Sequence, residues 1–152
     1  MHRFILSRLG LLVALALSVA NTARAADYVV LVNSENPLLD SNVDAKETVK
    51  RLFLKELSSW PGDGPALPLG RSKSSPAEAA FISKVLGMTR AELDTHWLRL
   101  KQTRGETPPR EVGSPLILFR QISRNRGAFA PATADEALDA PAEVAVLFRF
   151  SD

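Results

Sequence analysis

The pattern of hydrophobic and polar positions alternates between strand-like and helix-like segments. Residues 28–32, YVVLV, form a continuous apolar run, which predicts a strand buried on both faces at the centre of a sheet. Residues 144–150 alternate with a period of two, which predicts another strand at the C-terminal end. Shorter strands are predicted at 66–69 and 127–130. The pattern therefore predicts about four strands.

Helical spacing of apolar residues predicts about four helices between these strands. Capping residues, prolines at first helical positions and terminal glycines place them at 44–57, 76–87, 89–101 and 114–127. In the fourth helix, we expect Ile117, Leu118 and Ile122 to be buried against the sheet.

Two segments interrupt this regular pattern. Residues 102–113 and 131–142 are expected to be loops, although 134–138 has the composition of a single helical turn. Strands that alternate with helices indicate an α/β fold, a three-layer sandwich around a small, mostly parallel or mixed sheet. The 152 residues contain no visible repeat and suit one folded domain.

The N-terminal segment has the pattern of a secretory signal peptide. A positive start precedes an apolar run at 9–20, shorter than the ~20 residues needed to span a bilayer, and a small-x-small site ends at Ala25. We therefore predict a signal peptide at 1–25 and a mature, single domain at 26–152 that has no membrane span.

Charge and cysteine content narrow the functional classes. Removing Arg3, Arg8 and Arg24 with the leader changes the formal net charge from +2 to +2 − 3 = −1, without a cluster of basic residues that would indicate nucleic-acid binding. The absence of cysteine excludes disulfides, thiolate metal sites and a lipid-modified N-terminal cysteine. These features favour a free periplasmic protein of a Gram-negative cell.

The stretch GRSKSSPAEAAF, residues 70–81, admits two interpretations. In the structural one, Ser75 caps the following helix, Pro76 takes its first position and Glu78 completes a capping box. In the functional one, Arg71, the Ser74 and Ser75 hydroxyls and the free N–H groups of the helix start bind an anion. These residues alone favour the structural interpretation, because Pro76 has no N–H and Glu78 would compete with an anion.

Other candidate chemistry is sparse. His96 is the only histidine of the predicted mature chain, and its place beside Trp97 indicates a packing residue more than a general base. Trp60 is expected to anchor a turn. Carboxylates lie at spacings typical of helix caps or solvated surfaces, and the sequence indicates no metal or cofactor. A secreted hydrolase remains an alternative that would depend on His96, but a non-catalytic protein is favoured.

The order of five motifs resembles a known family. The motifs are VLVNSENP, RLFLKE, WPGDG, PLGRSKSSPxExxF and VLGMTRAELxxxW, followed by the strand GAFA. Together they are similar to the phosphate-binding periplasmic proteins of ABC transporters, and more closely to short secreted relatives with one lobe of that type II periplasmic-binding-protein fold.

The resemblance implies a site as well as a fold. Arg71 takes the place of the family's phosphate-binding arginine and Ser75 that of its helix-start serine, with Ser74 and the backbone near Ala77 completing a residual oxyanion site. The family's glycine and threonine are replaced by Pro76 and Ala77, so a backbone donor and a hydroxyl are missing. The implied function is a periplasmic solute-binding-like protein with weak affinity for phosphate or another oxyanion. The alternative is a ligand-free interaction module that binds an envelope sensor or transport complex.

Overall fold

The chain is described by a computed structural model over residues 27–152, so the predicted signal peptide lies outside the described residues. Within this range, regular elements follow in the order β1 (Asp27–Asn33), α1 (Ala45–Phe53), β2 (Leu67–Gly70), α2 (Pro76–Ala80), α3 (Arg90–Arg104), β3 (Arg110–Glu111), α4 (Pro115–Arg124), β4 (Ala128–Thr133), α5 (Ala134–Leu138) and β5 (Val144–Ser151). A 3-10 turn at Pro37–Asp40 precedes α1, and a π-helical segment at Phe81–Leu86 continues α2. None of the helices described in this range has the length and apolar character needed to cross a membrane.

The five strands form one mixed sheet in the order β3-β2-β4-β1-β5. β2 runs parallel to both β3 and β4, whereas β1 runs antiparallel to both β4 and β5. The predicted α/β class is therefore confirmed, with one more strand than expected. The prediction that β1 is central was wrong, because β4 holds the middle position and β1 lies beside it.

Helices cover both faces of the sheet, because successive side chains of β1 point to opposite faces and are apolar on both. Val30 and Val32 face a core formed with α1, the π-helical segment and α3. Val29 and Leu31 point the other way and pack in a second core under α4. Because β1 is apolar on both faces, it joins the two cores, and the molecule is a three-layer sandwich.

Several element boundaries differ from the predictions for local reasons. The first helix ends at Phe53 and not at 57, since Lys55 adopts a left-handed backbone conformation with φ of 59°. The third helix extends to Arg104, where Gly105 ends it with φ of 66°.

The remaining differences concern segments that were predicted to be loop or buried helix. The expected loop at 102–113 contains β3, and 131–142 contains the end of β4 and the helix α5. The fourth helix ends at Arg124, and Ile117 is 46% exposed, so its predicted burial was wrong. Leu118 and Ile122 are fully buried as predicted.

A close contact fixes the turn before β4. A Cβ atom on Gly127 would lie 1.9 Å from the Pro65 carbonyl oxygen, so only glycine fits there. The Gly127 carbonyl accepts a hydrogen bond of 2.9 Å from the indole nitrogen of Trp60, whose ring packs edge-on against Phe129. The prediction that Trp60 anchors a turn is confirmed.

Candidate functional site at the ends of strands β2 and β4

The stretch singled out in the sequence lies where two parallel strands of the sheet end. Arg71 directly follows β2, and α2 begins five residues later at Pro76. Pro131, near the end of the parallel strand β4, and the loop after β3 reach the same place. In open α/β sheets, this edge is where ligands usually bind. The sequence therefore placed the candidate site at the expected edge of the sheet.

Arg71 is almost fully buried there, with 3% of its surface exposed. Its guanidinium group forms a bidentate ion pair with Glu136, in which the two nitrogen–oxygen distances are 3.1 and 2.7 Å. Its other three N–H groups donate to the backbone carbonyls of Val112, Pro131 and Gly113 at 2.8, 3.2 and 3.1 Å. A guanidinium group has five N–H donors, so these protein acceptors use all of them. Arg71 thus joins β2, the loop after β3, β4 and α5.

Glu136 is the functional partner that sequence reasoning missed. It lies at the third position of α5, where its carboxylate accepts the backbone N–H of Thr133 while the Thr133 hydroxyl accepts the N–H of Glu136. Desolvation raises the pKa of Glu136, but hydrogen bonds from Arg71 and Thr133, together with the charge of Arg71, outweigh it and lower the pKa. The carboxylate is therefore ionised at neutral pH and faces Arg71 as an internal anion.

The T-x-x-E spacing of this capping box was present in the sequence. Thr133 and Glu136 fit the same pattern that was recognised at other helix starts. The hydrophobic pattern nevertheless predicts a loop, because the alanines and prolines of this segment lack a helical period.

Glu78 has a different role from the one predicted. Ser75 occupies the N-cap position of α2 but its side chain makes no capping bond, so the predicted capping box does not form. The Glu78 carboxylate turns back and accepts the backbone N–H of Arg71 at 2.9 Å, and it lies 3.9 Å from the guanidinium group of Arg90. Burial raises the pKa of Glu78 most strongly, against the lowering effect of the Arg71 N–H and the charge of Arg90.

The other predicted site residues lie around this helix start without contacting the guanidinium group of Arg71. Ser74 is exposed and its hydroxyl lies 3.3 Å from that of Ser72, while Ser75 is half-buried. Ala77 is fully buried in the first turn of α2. The Ser74 side chain therefore lies at the surface, whereas the guanidinium group of Arg71 points into the protein.

The remaining candidate residues, His96 and Trp97, make packing contacts. The Nε2 atom of His96 lies 2.9 Å from the Leu54 carbonyl oxygen, and its ring packs edge-on against Trp97. Trp97 in turn packs against Phe53, so the prediction of packing roles is confirmed for both side chains. Residues 27–152 contain no group of three or more histidine or carboxylate side chains arranged to hold a metal ion.

Comparison with known proteins gives a fold but no close relative. No protein-family model matches the chain, and no curated protein matches it. Solved structures do match. They include an ABC-type phosphate transport receptor from Vibrio cholerae, with 17% identity and a TM-score of 0.57, and PstS from Borrelia burgdorferi, with 14% identity and a TM-score of 0.56. A third is a Clostridium perfringens protein assigned as a phosphate ABC transporter substrate-binding protein and solved with bound phosphate, with 15% identity and a TM-score of 0.58.

The extent of these matches corresponds to a single lobe. Each alignment covers 80% of this chain, but only 46%, 47% and 44% of the Vibrio, Borrelia and Clostridium proteins. The chain therefore spans less than half the length of these three proteins. The resemblance read from the sequence motifs is confirmed at the level of the fold. In fold, the chain resembles a single lobe of the phosphate ABC transporter substrate-binding proteins.

Proposed function

We propose that this chain is a solute-binding-like lobe that works as a protein interaction module, and that Arg71 stabilises the fold and does not bind a ligand. The observation that carries this proposal is the saturation of the Arg71 guanidinium group by five protein acceptors. An arginine that binds a free oxyanion needs N–H groups directed at the ligand. Here the carboxylate of Glu136 takes that role from within the chain.

Replacing this internal anion would be unfavourable. A phosphate that approached Arg71 would have to displace Glu136, which would leave a carboxylate at a partly buried position without its partner. It would also have to approach the carboxyl group of Glu78, which already accepts the backbone N–H of Arg71. Both effects oppose anion binding at this edge of the sheet.

The single lobe supports the same conclusion. Two-lobed binding proteins enclose their ligand by closing one lobe over the other. The described residues correspond to less than half the length of the Vibrio, Borrelia and Clostridium proteins, and they would contact a ligand at this edge from one side. An open, partly protein-filled edge suits contact with another protein better than retention of a small anion.

The proposed place of action is the periplasm. Structural neighbours that act in phosphate transport support a location outside the cytoplasm, and the sequence of residues 1–25 predicts export. The mass of the protein purified after export tests this directly. It should correspond to a chain that begins at Ala26, whereas a full-length mass would contradict cleavage.

Weak oxyanion binding is the second candidate, and one observation favours it. The Ser75 hydroxyl makes no capping bond, and it lies at a helix start near the exposed Ser74. These hydroxyls and the backbone at Ala77 would form the site without the guanidinium group of Arg71. The phosphate bound to the Clostridium neighbour makes phosphate the anion to test.

Calorimetric titration with phosphate at low salt separates the two candidates, with sulfate as the control anion. The interaction proposal predicts no saturable heat for the wild-type protein. Saturable heat that disappears in Arg71→Lys would contradict it and make Arg71 a ligand contact. Saturable heat that survives in Arg71→Lys but disappears in the double variant Ser74→Ala/Ser75→Ala would assign the site to the hydroxyls.

A further inference from the structure

The helical layer formed by α4 and α5 leaves large apolar side chains uncovered. Leu116 is 68% exposed and Ile117 46% exposed on α4, and Leu138 is 82% exposed on α5. Only two other large apolar side chains of the described residues, Val43 and Leu98, are similarly exposed. Exposed leucines scattered singly are ordinary, but these three all lie on the two helices that cover one face of the sheet.

Leu116, one of these three side chains, lines a groove with a volume of about 540 Å³. One wall is α4, which contributes Leu116 and Phe119, and the other is the segment between α5 and β5, which contributes Pro141. The apolar part of the groove is therefore built from both sides.

The charges along the groove are arranged by sign. Arg120 and Arg124 lie on the α4 wall, and Asp139 and Glu143 lie on the opposite wall. Within residues 27–152, none of these four side chains forms an ion pair or a hydrogen bond. The groove thus presents two unpaired positive charges on one wall and two unpaired negative charges on the other, with an apolar strip between them. We will call it the polar-walled groove.

We propose that the polar-walled groove binds a second copy of this chain in a two-fold symmetric dimer. A two-fold axis places the same surface patch of both copies face to face, rotated by half a turn. When this axis runs along the groove, the basic wall of each copy meets the acidic wall of the other, and the apolar strips cover each other. A partner with one sign of charge would instead meet one wall of like charge, which is unfavourable.

The ion pair between Arg71 and Glu136 affects this surface through α5. Glu136, at the start of this short helix, is held by Arg71, and Leu138 and Asp139 follow at its other end. Ala137 packs against the core under α4, but none of the five residues of α5 is buried, so the ion pair between Glu136 and Arg71 adds to what holds this helix in place. The dimer proposal rests on the interaction role proposed above, and it gives Arg71 a second effect, that of positioning one wall of the groove.

Sedimentation velocity of the exported protein, with two double variants, tests the proposal. The acidic variant is Arg120→Glu/Arg124→Glu and the basic variant is Asp139→Arg/Glu143→Arg. The wild type should sediment as a dimer, and each double variant should be at least ~10-fold weaker in dimerisation because like charges then face each other. An equimolar mixture of the two variants should recover a dimer that contains one copy of each, since their walls are again complementary.

A matched control places the same charge change elsewhere. Arg99→Glu/Lys101→Glu alters two exposed cations of α3 and should leave the dimer intact. Circular dichroism of every variant checks that the fold is retained.

Three results would overturn the proposal. The first is a wild-type protein that stays monomeric at ~100 µM, far above the dissociation constants of ordinary stable dimers. The second is a dimer that survives in both double variants, and the third is a mixture of the two variants that stays monomeric. The second result would point to another surface, such as the unpaired edge of β5. These outcomes are independent of the phosphate titration, so failure of the dimer and failure of the proposed function remain distinguishable.

Discussion

Replacing Arg71 with alanine should strongly destabilise the fold, because Arg71 holds four chain segments together. The substitution removes one ion pair and three hydrogen bonds to backbone carbonyls at a position that is 3% exposed. It leaves the Glu136 carboxylate without its partner, and three backbone carbonyl oxygens lose the donor that Arg71 provides.

The magnitude follows from the cost of a broken buried pair. Removing one partner of such a pair costs ~3 to 5 kcal/mol. The hydrogen bonds to charged donors, at ~1.5 to 3 kcal/mol each, cannot simply be added, since one side chain makes all of them. We therefore expect a loss of ~3 to 5 kcal/mol from a total stability that is typically ~5 to 15 kcal/mol for a domain.

Urea unfolding monitored by circular dichroism measures this loss as a lower midpoint. If Arg71→Ala fails to fold, Arg71→Lys provides a milder test, because lysine keeps the charge but lacks the planar five-donor group. Lys73→Ala is the matched control, an exposed cation two residues away that should change stability by less than ~0.5 kcal/mol. A stability of Arg71→Ala within ~0.5 kcal/mol of the wild type would refute the structural role of this arginine.

The other predictions concern caps, a close contact and titration. Ser75→Ala should cost less than ~0.5 kcal/mol, because its side chain caps nothing, whereas Thr133→Ala should cost ~0.5 to 2 kcal/mol, and equal losses in urea unfolding would contradict the assignment. Gly127→Ala should cost at least ~1 to 3 kcal/mol through its clash with a carbonyl oxygen, measured the same way, and a neutral effect would disprove the contact. The pKa of Glu136 is lowered by folding, so its contribution to stability is present above the unfolded pKa and lost as the pH falls through the folded pKa. The unfolding midpoints of wild type and Glu136→Gln should therefore converge in acid, and a constant difference would contradict this. The pKa of Glu78 is raised, so its contribution is present below the unfolded pKa and lost as the pH rises through the folded pKa. Glu78→Gln should therefore gain stability relative to wild type over that rise, and the opposite trend would contradict the shift.

Most of the fold could be predicted because its strongest signals are local. The apolar run of β1 and the alternating apolar residues of β5 must be buried in any arrangement of the chain, and both strands form where they were expected. The order of the strands is not a local property. The sequence gives no direct sign that β4 lies between β2 and β1, because this depends on how the helices fill both faces of the sheet.

The candidate site was predicted in position but not in its contacts. The sequence placed Arg71 at the carboxyl end of a strand, and the structure agrees. The partner of Arg71 lies 65 residues along the chain, on a helix too short and too alanine-rich to show a hydrophobic period. Long-range pairing of this kind leaves no pattern in a single sequence.

The failed capping box at Ser75 shows a limit of local motifs. The spacing Ser75 to Glu78 is the same as Thr133 to Glu136, but only the second pair forms the reciprocal bonds. At the first site, the backbone N–H of Arg71 offers Glu78 a buried donor at 2.9 Å. A tertiary partner therefore replaced the local one.

The most direct test of the account follows the side-chain Nε–H group of Arg71 by nuclear magnetic resonance during a phosphate titration. The signal would be assigned by its absence in Arg71→Lys. If the protein itself saturates Arg71, the proton should exchange slowly with water, and its chemical shift should stay constant up to millimolar phosphate. A rapidly exchanging proton whose chemical shift changes with phosphate and reaches saturation would contradict the account and show that Arg71 binds the anion.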